Sequence, residues 1–457
     1  MTSFLVRFKK GNMQKSMIEG NTLKLILNFS IPLLLGNLFQ QFYNVVDAAI
    51  VGQTLGSYAL AAVGASSSVQ FLILGFCMGI CQGFAIMVSQ SFGAKRLDEM
   101  HTYIYAGAVW TAITAFVVSI LVVVFCADIL HILQVNDEIF NDAYAYLVVI
   151  FAGIPFTLLY NYLSAILRAI GDSKTPFLFL AFSAVLNIGL DFFCILVLKW
   201  GCAGAAIATI FAQAVSGILC LLLIALKVNV LHIPKSSRYV DKNHSIKLLA
   251  MGVPMGLQFS ITAIGSMVMQ SANNALGTIY VSGFTAGMRI KSLMMCPFDA
   301  LGAAVSTFLS QNYGACKLER IQDGYHKGVM VSILYGAFAC VVMVFFGRIL
   351  SMMFVSANES QVLNASALYL RRMGYFYPVL GILITTRMSV QGLGYSARAM
   401  LAGFVEMIAR CIVALCFVPI FKYNAITWAD QAAWVAATLV LIPLWVSAMR
   451  AVQKKMS

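Results

Sequence analysis

The stretch that decides the fold class is residues 102–126, which read TYIYAGAVWTAITAFVVSILVVVFC without one charged side chain. A transmembrane helix needs about 20 consecutive apolar residues to cross the hydrocarbon core of a bilayer. Similar runs recur along the whole 457-residue chain, which is 61% hydrophobic and only 10% charged. Because the runs repeat and are continuous, they exclude a soluble enzyme with one anchor and a barrel of alternating strands. The sequence predicts an all-α polytopic membrane protein.

Polar and turn residues divide the apolar runs into twelve predicted transmembrane spans. The first six spans cover residues 24–49, 59–91, 102–126, 140–167, 176–197 and 203–226. The second six cover residues 246–275, 280–311, 326–346, 362–388, 398–418 and 428–450. Several runs exceed the length that crossing requires, which allows a helix to tilt or to extend beyond the hydrocarbon.

The two halves of the chain repeat one another at a separation of 221 to 223 residues. The matching landmarks are Ile31-Pro32 with Val253-Pro254, Ser89-Gln90-Ser91-Phe92-Gly93-Ala94 with Ser310-Gln311-Asn312-Tyr313-Gly314-Ala315, Pro155 with Pro378, and Ile170-Gly171 with Leu393-Gly394. Each repeat holds an even number of spans, so both begin and end on the same side of the membrane. We expect the repeats to be related by an axis along the membrane normal.

The repeat predicts two pseudo-symmetric six-helix lobes, an N-lobe at 1–226 and a C-lobe at 246–457. A cytoplasmic linker at 227–245 joins them, in a region with five basic residues between Lys227 and Lys247. Spans 1 and 7 are equivalent under the axis. We therefore expect the contact between the lobes to include spans 1, 2, 7 and 8.

The net charge of +13 is explained by the loops. With a cytoplasmic N-terminus, the inner segments hold 22 Lys and Arg residues, which include Arg7, Lys9, Lys10, Lys15 and Arg387. The outer loops hold three, Lys199, Arg348 and Lys422. Because cytoplasmic loops carry an excess of Lys and Arg, the ratio predicts a multi-pass protein of the inner or plasma membrane with both termini inside. No nucleic-acid partner is needed to explain the charge.

Function is expected within the spans, because the short loops leave no extramembrane domain for an active site. Ionisable residues there cost about 2.5 to 3.5 kcal/mol on insertion scales and are functional candidates by default. Of the 17 acidic residues, four fall well inside the predicted spans, namely Asp47, Asp191, Asp299 and Glu406.

Two of these acids belong to polar stripes at helical spacing. The stripe on span 1 consists of Asn37, Gln40, Asn44 and Asp47. The stripe on span 5 consists of Ser183, Asn187 and Asp191. A rise of about 1.5 Å per residue puts Asp47 and Asp191 at similar depth, so they can meet. Burial and like charge favour proton uptake by such a pair; the alternative is that each acid only bonds a neighbouring helix.

The remaining candidates have simpler interpretations. Glu406 and Arg410 are four residues apart on span 11 and can form a structural intrahelical ion pair. Asp299 follows Pro297 in the inner half of span 8 and is a weaker candidate. None of the five histidines lies well inside a span and no Walker-type loop occurs, so we expect no metal, no cofactor and no use of ATP. An ion-coupled carrier or a channel is favoured over an enzyme.

Five stretches of the first half are specific in combination. They are Gln40-Gln41-Phe42-Tyr43-Asn44-Val45-Val46-Asp47, Leu60-Ala61-Ala62-Val63-Gly64, Ser89-Gln90-Ser91-Phe92-Gly93-Ala94, Leu167-Arg168-Ala169-Ile170-Gly171-Asp172-Ser173-Lys174 and Leu186-Asn187-Ile188-Gly189-Leu190-Asp191. With their echoes in the second half, they resemble the multidrug and toxic compound extrusion (MATE) family over nearly the whole chain. The resemblance implies two six-helix lobes and export of bulky, often cationic, organic compounds in exchange for inward proton or sodium flow.

The resemblance also implies roles for single residues. In the branch whose cation site lies in the N-lobe, Asp47 would match the helix-1 carboxylate, Asn187 and Asp191 the helix-5 pair, and Thr209 a helix-6 hydroxyl. The residues expected along the substrate cleft are Gln40, Asn44, Tyr146 and Ser164, and a bend of helix 1 is expected at Pro32. Other branches carry acids on helices 7 and 10; here span 7 reads Gly256-Leu257-Gln258-Phe259-Ser260-Ile261-Thr262 and span 10 has no acid. Coupling is therefore predicted in the N-lobe.

Three classes of function stay open at this point. A cation-coupled antiporter for small organic substrates, working as a monomer in the bilayer by alternating access, fits the buried acids. A flippase for lipid-linked oligosaccharide shares the two-lobe plan, but it would need several bases along its cleft, where Arg410 is the one clear case and Arg289 and Lys291 are borderline. A receptor or scaffold needs no buried acid pair. The acids thus favour the antiporter.

Overall fold

A computed structural model describes residues 16–133 and 135–456 of the chain, and its regular elements are helices. The first half contains α1 (Thr22–Leu55), α2 (Ser57–Gly93), α3 (Leu97–Val124), α4 (Cys126–Ile132), α5 (Asp137–Ala152), α6 (Ile154–Ala169), α7 (Lys174–Phe192) and α8 (Gly201–Lys227). The second half contains α9 (Lys242–Asn274), α10 (Thr278–Gly314), α11 (Leu318–Ser351), α12 (Ser360–Gly374), α13 (Tyr377–Gly392), α14 (Ser396–Ile412), α15 (Val418–Phe421) and α16 (Tyr423–Met456). The four basic residues Arg7, Lys9, Lys10 and Lys15 lie outside the described residues.

All twelve predicted spans are helical, but two of them are broken. Within the described residues, ten helices are long and apolar enough to cross a membrane, and α5 with α6 forms one further span bent by 47°. The remaining predicted span, the tenth in chain order at 362–388, is divided into α12 and α13. Both breaks precede a proline, Pro155 or Pro378, whose missing N–H and fixed φ favour the first turn of a new helix.

Two apolar cores correspond to the two halves of the chain. The first is built from buried residues between Ile50 and Leu248, and the second from residues between Met269 and Val452. The second core also includes Met17, Ile26 and Phe29, so the start of α1 packs against the C-terminal half. The lobe limits of 1–226 and 246–457 stay predictions.

The contact between the lobes is confirmed at spans 1, 2, 7 and 8, because α2 packs on α9 and α10, and α10 packs on α1. Glycines allow the backbones of α2 and α9 to touch. A Cβ atom on Gly79 would lie 2.7 Å from the Cα of Gly256, and one on Gly83 would lie 2.5 Å from the Cα of Gly252. Real Cβ atoms do not come this close to backbone, so a side chain at either position would separate the helices.

A reciprocal pair of hydrogen bonds crosses the boundary between the lobes. Gln90 on α2 donates through Nε2 to the carbonyl of Gly392 at 3.0 Å, and Gln311 on α10 donates through Nε2 to the carbonyl of Ala169 at 2.9 Å. Each glutamine lies in the repeated motif at the end of its helix, and each acceptor directly precedes the opposite lobe's Ile-Gly or Leu-Gly turn. We name this pair the glutamine latch.

The segment before α1 strengthens the same junction. Met17 donates its N–H to Gln311 Oε1 at 2.8 Å, and its carbonyl accepts from Asn312 Nδ2 at 3.2 Å and from Arg320 at 3.1 Å. Arg320 also donates to the carbonyl of Gly20 at 2.9 Å. The segment is therefore bound to the C-terminal half at the residue that forms the latch.

The contacts between α2 and α9 lie toward the Gly93 end of α2. They run from Leu72, whose carbonyl accepts from Ser260 at 3.2 Å, to Gly83, and the latch continues them to Gly93. At the opposite end, a Cβ atom on Gly56 or Gly277 would meet nothing within 4 Å. The turns that contain these two glycines are therefore not packed against each other at these positions.

We expect Gly83→Ala to lower the melting temperature of the purified protein, because the added methyl group forces α2 and α9 apart by overpacking, at a cost of about 1–3 kcal/mol. Gly64→Ala on the same helix is the matched control, since its Cβ would meet nothing within 4 Å. Thermal unfolding in detergent measures both variants. A Gly83→Ala protein as stable as the Gly64→Ala control would contradict the close approach.

Candidate functional site

Two acidic side chains from separate helices meet in the first half of the molecule. The carboxyl groups of Asp47 on α1 and Asp191 on α7 lie close enough to share a hydrogen bond. An ionised carboxylate only accepts hydrogen bonds, so a bond between two carboxyl groups requires a proton on one of them. Asp191 is fully buried, and one oxygen of each acid has no further partner among the described residues. The two carboxyl groups can therefore be bonded to each other only when one of them is protonated.

The local backbone changes where Asp191 lies. The α-helical hydrogen-bond pattern of α7 ends at Phe192, and a π-helical turn follows over Phe193–Val197. π-helical turns are rare in proteins as a whole, but those that occur are frequently found at functional sites. The wider turn changes the direction of the adjacent side chains. The C-terminal half carries a π-helical turn at the corresponding place, Val413–Phe417 after α14. The duplication thus preserved this distortion in both lobes.

Amide and hydroxyl groups surround the acid pair. Tyr43 Oη and Thr209 Oγ1 are 3.3 Å apart. With the Asn187 amide turned so that its nitrogen faces the acid, Nδ2 lies 3.1 Å from Asp191 Oδ2 and the amide oxygen lies 3.0 Å from the Thr209 N–H. The three residues that the family resemblance placed around the cation site on helices 5 and 6, Asn187, Asp191 and Thr209, are therefore in direct contact.

A small polar cavity adjoins this cluster. Its volume is about 20 Å³, and it is lined by Gln40, Tyr43, Leu180, Ser183, Ala184, Asn187, Thr209, Ala212 and Gln213. A polar cavity of about 10–15 Å³ is enough for one water molecule. The cavity therefore fits a water or a small ion beside the acids and is too small for an organic substrate.

The predicted cleft residues do not all lie together. Gln40 lines the small cavity, and Asn44 is exposed. Tyr146 is buried and lies near Gln70 and both acids of the pair. Ser164 is buried on α6 and does not line the cavity.

The structure shows Pro32 inside a helix that continues through it. Pro32 is buried, and α1 runs from Thr22 to Leu55 as one element.

The second half contains a buried ionic network that the sequence revealed only in part. Glu406 contacts both Arg410, at 3.6 Å, and Arg387. Asp430 accepts from Lys291 at 2.6 Å and from Arg410 at 3.1 Å. Tyr369 donates its hydroxyl to the same Asp430 at 2.8 Å. The network joins α10, α12, α13, α14 and α16.

This network confirms one sequence-based assignment and corrects two others. The intrahelical pair of Glu406 and Arg410 is present at 3.6 Å, and each of the two residues also contacts a residue of another helix. Arg387, counted among the inner-segment bases, is buried within α13. Asp430 was not counted among the acids inside spans, because the predicted span began at 428, whereas α16 begins at Tyr423.

The network occupies positions that the repeat relates to the N-terminal site. At offsets of 221 to 223 residues the pairs are Gln70 with Lys291, Tyr146 with Tyr369, Ser164 with Arg387, Ser183 with Glu406, and Asn187 with Arg410. The same framework therefore carries a neutral polar set around an acid pair in one lobe and a set of ion pairs in the other. Across the described residues, no cluster of three or more His, Cys, Asp or Glu residues could hold a metal ion.

The duplicated helices and the buried acid pair define a multi-pass membrane protein built from two related lobes. The profile of the MatE family matches residues 32–193 and 254–416, one segment in each half. The chain therefore belongs to the MatE family, the family that its motifs resemble.

Relatives and solved structures agree with this assignment. The probable multidrug resistance protein YpnP of Bacillus subtilis (strain 168) is 32% identical over 367 residues, which cover 80% of this chain and 81% of that protein. The probable multidrug resistance protein YoeA of the same organism is 27% identical over 339 residues, 73% of each chain. A crystal structure of MATE in complex with MaL6 superposes with a TM-score of 0.90 at 21% identity and covers 96% of this chain and 99% of that one.

We expect Asp430→Asn to destabilise the protein strongly, because it leaves Lys291 and Arg410 buried without a counter-charge. Breaking a buried pair in this way costs about 3–5 kcal/mol. Asp47→Asn is the matched control: it is the same acid-to-amide change inside a span, but no base loses its partner. Thermal unfolding and recovery of monodisperse protein measure the two variants. Equal stability would mean that the ionic network does not support the fold.

Proposed function

We propose that this protein exports small organic compounds, cationic or amphipathic, in exchange for inward movement of protons or Na⁺, with coupling at Asp47 and Asp191. Two relatives that match most of the chain are named as probable multidrug resistance proteins, which supports drug export. The observation that carries the coupling site is the close approach of the carboxyl groups of half-buried Asp47 and buried Asp191 beside a cavity of about 20 Å³ that is lined mostly by polar residues.

The chemistry of the pair suits exchange of one positive charge at a time. Two adjacent carboxylates repel each other in a medium of low dielectric constant, so the pair is unfavourable when it holds neither a proton nor a metal cation. A proton shared between them relieves the repulsion. A Na⁺ ion would do the same, with the oxygens of Asn187 and Thr209 as further ligands of the type that hard cations prefer. Loss of the bound ion to one side would then drive a rearrangement of α1 against α7.

Alternating access is supported by the asymmetry of the lobe contacts. The glutamine latch and the glycine contacts close the Gly93 end, whereas the turns at Gly56 and Gly277 are not packed against each other, and we take this second end as the open one. The excess of basic residues in the loops of the Gly93 end supports a cytoplasmic position for that end. In the proposed cycle the structure then corresponds to an outward-open state. Rocking of the lobes would open the latch and close the opposite end.

A lipid-linked oligosaccharide flippase is the less favoured alternative. The names of the two Bacillus relatives point to drug resistance. Besides Arg410, the bases Lys291 and Arg387 also lie within the membrane, but each is buried in an ion pair with Glu406 or Asp430. They are thus not available to line a cleft for an anionic headgroup.

We expect Asp47→Asn to abolish coupled export while leaving the protein folded, because the amide keeps the shape and hydrogen bonding but cannot release a proton. Purified protein in proteoliposomes is tested for ethidium transport, with a proton gradient and a Na⁺ gradient imposed separately. Asp142→Asn, which removes an exposed carboxylate of the same lobe, should transport like wild type.

Paired substitutions test whether the residues form one site. Asp191→Asn combined with Asp47→Asn should add little to the single loss, because members of one site act as a unit. Export by Asp47→Asn at the wild-type rate under either gradient would refute the coupling role. Additive losses in the double variant would place the two acids in separate sites.

We expect a disulfide between Gly56→Cys and Thr278→Cys to form only when the open end closes, and to stop export until it is reduced. The experiment needs a background without the eleven native cysteines. Each single cysteine variant, treated with the same oxidant, is the control and should keep transporting. Normal export by the cross-linked protein would contradict rocking of the lobes.

A further inference from the structure

A large cavity in the described part of the chain is separate from the acid pair. It has a volume of about 930 Å³ and lies between α3, α6, the end of α8 and the linker. Its walls are apolar or aromatic, with Tyr105, Phe116, Phe156 and Leu221 among them, and its linker end carries His232 and Arg238. We name it the linker groove.

The linker groove has a definite direction and length. At one end Ile104, Ile166 and Ile224 lie near the linker, and at the other end Phe116 lies near Pro155. On α3 the lining residues extend from Ile104 to Phe116, which corresponds to about 18 Å at a rise of 1.5 Å per residue. Half the hydrocarbon core of a bilayer is about 15 Å thick. The groove thus reaches through one leaflet, from the linker surface to the bilayer centre.

The basic groups of the linker groove lie at its mouth, whereas its wall contains one buried hydroxyl without a hydrogen-bond partner in the described residues, that of Thr111. Tyr162, which lines the wall, donates its hydroxyl to the carbonyl of Ile104 at 2.7 Å and offers no free donor to the groove. Arg238 is exposed and donates through Nε to the carbonyl of Ile233 at 3.2 Å. Its two Nη atoms make no hydrogen bond to the described residues. They can therefore contact a phosphate at the mouth.

The linker is held in place to form this mouth. The carbonyl of Val230 lies 2.8 Å from Nε2 of His101 on α3, and the carbonyl of Ala225 lies 2.7 Å from Nε2 of His232. Leu231 and Ser237 are buried. The basic end of the groove is therefore built by ordered chain.

We propose that the linker groove binds one anionic phospholipid of the leaflet on the linker side, with its acyl chains along α3 and α6 and its phosphate at Arg238. The occupant follows from the apolar depth of one leaflet, the volume, and a single basic end in a linker that is rich in Lys and Arg. Juxtamembrane bases attract anionic headgroups. Such a lipid fixes the linker to the N-terminal half, independently of what the protein transports.

Delipidated protein in detergent is titrated with phosphatidylglycerol or phosphatidylcholine of identical acyl chains, and bound lipid is counted by native mass spectrometry. We expect one phosphatidylglycerol per protein to bind preferentially. Arg238→Gln should weaken it about fivefold, the value of one juxtamembrane charge. Lys235→Gln is the matched control, because Lys235 is an exposed linker base that does not line the groove.

A second pair of variants tests the apolar part of the site. Ala112→Trp fills the groove and should abolish tight binding of phosphatidylglycerol, whereas Ile113→Trp, at an exposed position outside the lining, should not. Equal binding of the two lipids, equal effects of Arg238→Gln and Lys235→Gln, or full binding by Ala112→Trp would each overturn the proposal. The last two outcomes would indicate an annular lipid without a defined site.

Discussion

The constraint on which the structure depends is that a charged or polar group inside a bilayer must find its partner within the protein. The two lobes meet this constraint differently on one duplicated framework. The N-terminal half brings Asp47 and Asp191 together, and neither acid has a basic partner among the ion pairs of the described residues. The C-terminal half surrounds Asp430 with Lys291 and Arg410. The second arrangement is neutralised by its own bases, whereas the first depends, in the proposed function, on a proton or Na⁺ ion.

The boundary between the lobes follows the same constraint. Polar side chains at a helix end must be satisfied without tying the lobes together permanently. Gln90 and Gln311 do so with one amide hydrogen bond each to a carbonyl of the opposite lobe. A neutral hydrogen bond contributes only about 0.5–1.5 kcal/mol net, because water replaces it when it breaks. The latch can therefore open at modest cost, in contrast to the ionic network, where a broken pair would leave a buried charge.

The sequence was sufficient for the fold class, the helices and the acid pair, because these depend on local runs, on helical spacing and on a repeat that a single chain displays. Long-range pairing was not accessible in this way. Lys291 and Asp430 are 139 residues apart, and no local sequence pattern predicts their contact. An error of a few residues in a span boundary was enough to hide Asp430. Arg387 was counted among the inner-segment bases, because it lies one residue from the end of the predicted span 362–388 and a base there resembles a topogenic charge. The binding of Met17 to Gln311 likewise has no signature in the local sequence.

The equivalence of positions explains why the coupling ion is expected in only one lobe. A cation entering the C-terminal half would meet Arg387, Arg410 and Lys291, and the acids that could attract it already contact these bases. Binding of the cation would require an ion pair to be broken in a medium of low dielectric constant. The free energy lost with that pair exceeds the free energy gained from the new contact. In the N-terminal half the corresponding residues are Ser164, Asn187 and Gln70, which add no positive charge. Neutral residues at these positions thus leave the acids of the N-terminal half free for the cation of the proposed function, whereas bases at the equivalent positions of the C-terminal half hold its acids in ion pairs.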